Sequence, residues 1–353
     1  MTAVLETAPL SPRAAAHLVA QERHRRTRRR SVVAAVLFVL VAGGGAASLV
    51  FGTFTIPLAD VLPGLFGEGR RSTVFVLQTL RLPRTAAAIL VGAALAVSGS
   101  IFQTITRNPL ATPDILGITG AASLGAAWAI LGGQASGTSV ALIAGLAGAG
   151  AAVLIYVLAW RRGDHGQRLI LVGIGVAALA AAGTSWLLTQ RQALEAQRAM
   201  IWIAGSVNNV SPPELWCLVV VCVAAAVLLP LVRHWLPLLE LGDETATGLG
   251  LRPERARLVA IAIAVALAAA AVAVAGPVAF VALVAGPIAR RLTRTPGLVP
   301  VAAALVGALV TLTADTAGHY LLGNQPVGIV TGIIGAPYLI YLLTRSGTWT
   351  RRA

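Results

Sequence analysis

The chain has 353 residues, of which 57% are hydrophobic and 11% charged, against about 25% charged in soluble domains. This excludes an ordinary soluble enzyme and a disordered protein, and the unbroken apolar runs exclude the alternating strands of an outer-membrane barrel. The net charge is +14 and all 27 basic residues are arginine, so a phosphate-cradling loop with its lysine and a Schiff-base lysine are both excluded.

Residues 1–30 read as a polar cytoplasmic tail, ending in Arg23, Arg25, Arg26, Arg28, Arg29 and Arg30. No small-x-small cleavage site follows, so the segment is expected to be retained and mobile rather than removed as a signal peptide. Ten apolar segments come next, at 32–51, 77–104, 114–132, 139–160, 169–190, 213–233, 257–275, 278–293, 299–318 and 327–344. Residues 258–289 carry no charge. One helix of that length would measure about 48 Å, too long for a hydrocarbon core of about 30 Å. Gly276-Pro277 breaks it, and arginines flank both ends, so a two-pass hairpin is expected. The membrane domain then covers 31–345, with a second cytoplasmic tail at 346–353.

With ten crossings both termini lie on one side. Placing them inside leaves six arginines outside, at 70, 71, 81, 84, 191 and 198, and 21 inside, as the positive-inside rule requires. Because the arginines cluster at the ends of apolar runs, nucleic acid is not an expected partner. Gly92-Ala93-Ala94 and Gly173-Ile174-Gly175 read as sites of close helix packing.

Arg81-Leu82-Pro83-Arg84 is expected to open the second helix, with proline in its first turn. Positive residues outside the membrane need a reason. Docking of an acidic partner and snorkelling to lipid phosphate both supply one. Between the second and third segments, Pro109 and Pro113 make a rigid turn, and Asp114 is placed to cap the next helix. Cys217 and Cys222 are five residues apart in one run, a poor disulfide spacing, and read as small packing residues. In the longest inner loop, Leu241–Leu251, Asp243 and Glu244 suit the start of a short helix. Gly248 and Gly250 suit its end, giving a compact contact surface for a soluble subunit. Asp315 lies inside the ninth run, where a carboxylate is a functional candidate by default. It suits a proton or cation site, or a bond to backbone amides near the outer surface. The sequence shows no basic mate for it within the membrane, so the structural role is preferred. No metal site, cofactor motif or nucleophile triad is visible.

Three ordered stretches carry a resemblance. The first runs Arg81-Leu82-Pro83-Arg84, Gly92 to Gly99, Gln103, Arg107-Asn108-Pro109-Leu110-Ala111 and Pro113 to Gly117. The second is Ala275 to Leu283 with Ile288-Ala289-Arg290. The third is Ala314-Asp315, Pro326 to Thr331 and Gly335-Ala336-Pro337. The chain resembles the FecCD family over about 31–345. These are permease subunits of ABC importers for ferric siderophores, haem and cobalamin.

The resemblance implies an all-α polytopic subunit of about ten helices in a bacterial cytoplasmic membrane. It implies no catalysis in this chain, two separate ATP-binding cassette ATPases, an extracytoplasmic substrate-binding protein and a second permease subunit. Arg81 and Arg84 match arginines that face acidic residues of the binding protein, and His319 stands where some members carry a third. Leu241, Gly242, Asp243, Glu244, Gly248, Leu249, Gly250 and Leu251 match the ATPase-coupling element. Gly166 and Gln167 fall near the cytoplasmic gate. Residues 200–212, with Gly205 and Asn208, match a short helix beside the pathway. Gly286-Pro287 replaces the family's usual Pro-His or Pro-Gln. Details at Pro113-Asp114 and Glu254–Arg257 resemble members that form heterodimers. The expected function is import of ferric siderophore by alternating access. A cobalamin or haem permease, or a secondary transporter driven by protons through Asp315, are the alternatives.

Overall fold

Backbone N–H and C=O groups in hydrocarbon must pair within their own segment, which favours helices. The computed structural model describes residues 12–52, 55–132, 137–159, 165–208 and 210–346, and all regular structure among them is helical. In chain order the helices are α1 (Pro12–Val50), α2 (Leu58–Leu65), α3 (Arg71–Phe75), α4 (Leu82–Ile105), α5 (Ile118–Leu131), α6 (Thr138–Ala159) and α7 (His165–Thr189). Then come α8 (Ala193–Ile203), α9 (Pro212–Glu240), α10 (Asp243–Gly248), α11 (Pro253–Ala275), α12 (Val281–Thr293), α13 (Pro300–Tyr320) and α14 (Val327–Ser346). A π-helical stretch, Val76–Arg81, joins α3 to α4.

Each of the ten apolar runs contains one main helical segment. Among the described residues, seven helical spans are long and apolar enough to cross a membrane by themselves. The other runs correspond to the shorter α5, α12 and α14. The break at Gly276-Pro277 is where the sequence placed it. α12 has only 13 residues, about 20 Å, short of a core of about 30 Å, so irregular backbone at one of its ends falls at membrane depth. Irregular backbone is tolerated there only when protein buries it. Val278 is buried, Ser206 N–H donates to Ala275 O at 2.7 Å, and Gly328 N–H donates to Gly205 O at 3.1 Å.

Three boundaries differ from expectation. Helix α1 begins at Pro12, so the arginine run continues the first span as helix; no proline or glycine interrupts residues 13–42. Arg29 Nε donates to Leu292 O at 2.9 Å and Arg30 Nε to Thr295 Oγ1 at 3.0 Å, fastening that end of α1 to the α12–α13 turn. Of the expected tails at 1–30 and 346–353, residues 1–11 and 347–353 lie outside the described residues, as do Arg161 and Arg162. The second crossing starts at Arg71, ten residues before Arg81. Pro83 has no N–H and its ring crowds the carbonyl four residues back; the wider π stretch just before it lets the helix pass through. Asp114 does not cap α5, which opens at Ile118 after Gly117 in the left-handed region (φ +78°). Its carboxylate instead faces Thr119 and the backbone of Phe280. Cys217 and Cys222 are free thiols.

Helix α4 is the axis of the bundle, packed on α13, α11, α12 and α9. Gly92 and Gly307 set its crossing with α13. A Cβ on either would strike the carbonyl of the other, so the two backbones touch. Such contacts gain dispersion where lipid offers no hydrophobic drive.

Candidate functional site

Arg81 is the last residue of the π stretch. Its Nη1 donates to Leu49 O at 2.6 Å and Val50 O at 3.1 Å. These carbonyls lie at the negatively polarised C-terminus of α1. Gly52 leaves room for that guanidinium, which a Cβ there would strike. Arg84, in the first turn of α4, reaches across to α13. Its Nε donates to Asp315 Oδ2 at 2.9 Å and its Nη2 to Asp315 Oδ1 at 3.0 Å. This is a bidentate, charge-assisted pair. Asp315 therefore has a basic mate, contrary to the sequence reading, and among the described residues its carboxylate pairs with Arg84 rather than with backbone amides. Its side chain is 8% exposed and that of Arg84 21%. Arg84 Nη1 lies 3.2 Å from His319 Nδ1, which is 2.8 Å from Asn324 Oδ1.

These groups line a cavity of about 420 Å³ that Asn208 also borders. The fold thus gathers Arg81, Arg84, His319, Asp315 and Asn208, which the sequence had divided among docking, buried-polar and pathway roles. Gly205 (φ +74°) lies apart from them, pressed against the carbonyl of Pro277, where α8 ends beside the α11–α12 linker. Gly166 and Gln167 are in the first turn of α7; Gln167 is exposed and lines neither this cavity nor the one described next.

About 28 Å along α4, at 1.5 Å per residue from Arg84 to Gln103, lies a second polar cluster. The buried Gln103 amide donates to Pro109 O at 2.9 Å and Leu283 O at 3.0 Å, and its Oε1 accepts from Arg290 Nη2 at 3.2 Å. Gly286 makes room here: a Cβ on it would come within 2.8 Å of Gln103 Oε1. Arg107 Nη2 donates to Leu239 O at 2.8 Å. With Glu240 these groups line a cavity of about 360 Å³. The sequence reading gave no role to Gln103, Arg107 or Arg290. The available signal was an amide inside an otherwise apolar run, for which lipid offers no partner.

Leu239 and Glu240 lead directly into the Leu241–Leu251 element. Gly242 (φ +102°) makes the turn and Asp243 opens α10. Asp243 Oδ1 accepts from Arg257 Nη2 at 2.9 Å, and Leu251 N–H donates to Ala246 O at 3.0 Å, closing the element on itself after Gly248 and Gly250. Ala246 is fully buried beneath it, while Leu241 and Leu249 are each 60% exposed and Glu244 is exposed beside them. Two uncovered leucines, Leu241 and Leu249, thus flank a braced short helix.

The family model of the FecCD transport family matches residues 15–345. The chain belongs to the FecCD transport family. Within it, the chain is 41% identical over 299 residues to the ferric enterobactin transport system permease protein FepG of Escherichia coli (strain K12), covering 83% of this chain and 89% of that one. It is 38% identical to the iron(3+)-hydroxamate import system permease protein FhuG of Bacillus subtilis (strain 168), covering 85% and 92%. A solved structure of a metal-chelate type ABC transporter in an inward-facing conformation superposes with a TM-score of 0.79 at 26% identity. It covers 89% of this FecCD chain and 99% of that one.

Proposed function

We propose that this FecCD-family chain is the transmembrane permease subunit of an ATP-driven importer of iron–siderophore complexes. It works by alternating access between an extracytoplasmic binding protein and two separate ATPase subunits, and it pairs with a second permease chain. The observation that carries the reading is the two-ended layout of α4. An arginine-lined cavity lies at one end, and at the other a tether leads to a leucine-flanked helix. The absence of lysine assigns nucleotide binding to a partner chain. The names of the relatives favour ferric siderophore as cargo, ahead of haem or cobalamin.

The binding protein docks at the first cavity. Asp315 occupies the Nε/Nη2 edge of Arg84 and His319 meets Nη1, which leaves one N–H on each Nη for an acidic side chain of the partner. The ATPase engages Leu241, Asp243, Glu244 and Leu249, and its movement is passed into the bundle. Gly166, Gln167, Gly205 and Asn208 border the pathway. Both termini are cytoplasmic. A proton-driven transporter working through Asp315 is disfavoured, because that carboxylate is committed to Arg84.

The test is uptake of labelled iron in a strain lacking the gene, supplied as ferric enterobactin, ferric hydroxamate, ferric citrate or haem, with labelled cobalamin alongside. Loss of one ferric siderophore, restored by the gene and blocked by vanadate, is expected. Uptake that continues in vanadate would overturn the ATP-driven reading. Loss of cobalamin or haem alone would replace the cargo.

A further inference from the structure

Arg107 occupies a position that its backbone does not favour. Helix α4 ends at Ile105, and the next residues close it: Arg107 N–H donates to Thr104 O at 3.3 Å and Asn108 N–H to Gln103 O at 3.2 Å. These are the two bonds of a Schellman cap, whose left-handed residue is ordinarily glycine or asparagine. Here that residue is Arg107, with φ +51°. Such strain persists where the surroundings over-determine it, and a glycine would serve the turn better. What arginine adds is a guanidinium on Leu239 O, in the last turn of α9 and two residues before Leu241.

The same cap is held to the bundle by Gln103, whose amide binds Pro109 O in the loop and Leu283 O in α12. Arg107 is thus a rigid arm of α4 that grips the carbonyl end of α9, where the negative helix pole favours a cation. We infer that Arg107 is the positioning residue that locks the α10 contact element to α4, so that movement of α10 reaches the far end of α4, where Arg84 holds Asp315. This rests on the proposed engagement of α10 by the ATPase.

The test uses the complete complex of both permeases, the ATPase and the binding protein in liposomes, with Arg107→Gly and Arg107→Lys. Glycine suits φ +51°, so the Arg107→Gly complex should assemble and melt no lower than the parent. The ratio of hydrolysis with cargo-loaded binding protein to hydrolysis without it should fall roughly fivefold or more, with uptake falling in parallel. Arg107→Lys, which keeps one donor, should recover part of the ratio. An unchanged ratio in Arg107→Gly would overturn the inference, as would a complex that fails to assemble, since that is a purely structural role. No stimulation in the parent complex would overturn the importer reading itself, and the inference with it.

Discussion

Arg84 and Asp315 are 231 residues apart in the chain. Each alone is a costly charge near lipid; together they are a bidentate pair. Breaking such a pair from one side leaves an uncompensated charge at a cost of about 3 kcal/mol, whereas an apolar pair of similar volume is often neutral. Arg84→Ala is therefore expected to lower the melting temperature in detergent markedly. Arg84→Met combined with Asp315→Leu should restore most of it. If Arg84 also docks the binding protein, that stable double variant still loses docking by about 30-fold, corresponding to roughly 2 kcal/mol. Binding of the cargo-loaded protein to liposomes carrying each variant complex measures this. Equal docking by the double variant and the parent would remove Arg84 from the interface. The arginines and Asp315 were each legible as residues needing a reason. Their pairing was not, because it depends on which faces of α4 and α13 meet, and the packing of the two helices decides that.

At the scale of elements, the ten helical segments were legible because lipid imposes a length and an apolar composition. Their exact limits were set by local devices that those rules do not contain, such as the π stretch that carries Pro83. The glycines show the same division. Gly92-Ala93-Ala94 and Gly173-Ile174-Gly175 look alike as strings. In the fold Gly92 abuts Gly307 and Gly173 abuts Leu116, while Gly175 meets no neighbouring atom within 4 Å. Gly92→Ala should destabilise the chain by about 1–3 kcal/mol, the cost of overpacking a tight contact. Gly175→Ala should be neutral or stabilising by about 0.5–1 kcal/mol through reduced chain entropy. Thermal unfolding of the isolated subunit in detergent separates them, and equal melting points would refute the assigned α4–α13 contact.

For the whole molecule, the arginine asymmetry predicts sidedness. In a background with Cys217 and Cys222 replaced by alanine, Glu68→Cys, in the exposed turn after α2, should react with a membrane-impermeant maleimide on intact spheroplasts. Leu249→Cys should react only after the membrane is opened. The reverse pattern would invert the protein, and labelling of both from outside would mean that a crossing has been miscounted. The two ends of α4 carry the Arg84 cavity and the tether to α10, an arrangement the sequence showed only as two distant motifs.

Helix α1 is made first yet rests on helices made almost last. It packs against α13; Gly44 sits beneath Leu312, Tyr320 Oη donates to Phe51 O at 2.9 Å, and Arg29 and Arg30 hold the α12–α13 turn. At about 5–20 residues per second, the ribosome needs roughly 10–50 s to travel from the end of α1 to the end of α13. Throughout that interval the first span has only α2, Arg81 and the start of α4 against it, and the face that α13 will cover is open. Closure of this face therefore comes late in synthesis, with the return of the last helices to the first. A nascent chain arrested before Pro300 leaves the α13-facing side of α1 to lipid or to whatever insertion factor shields it.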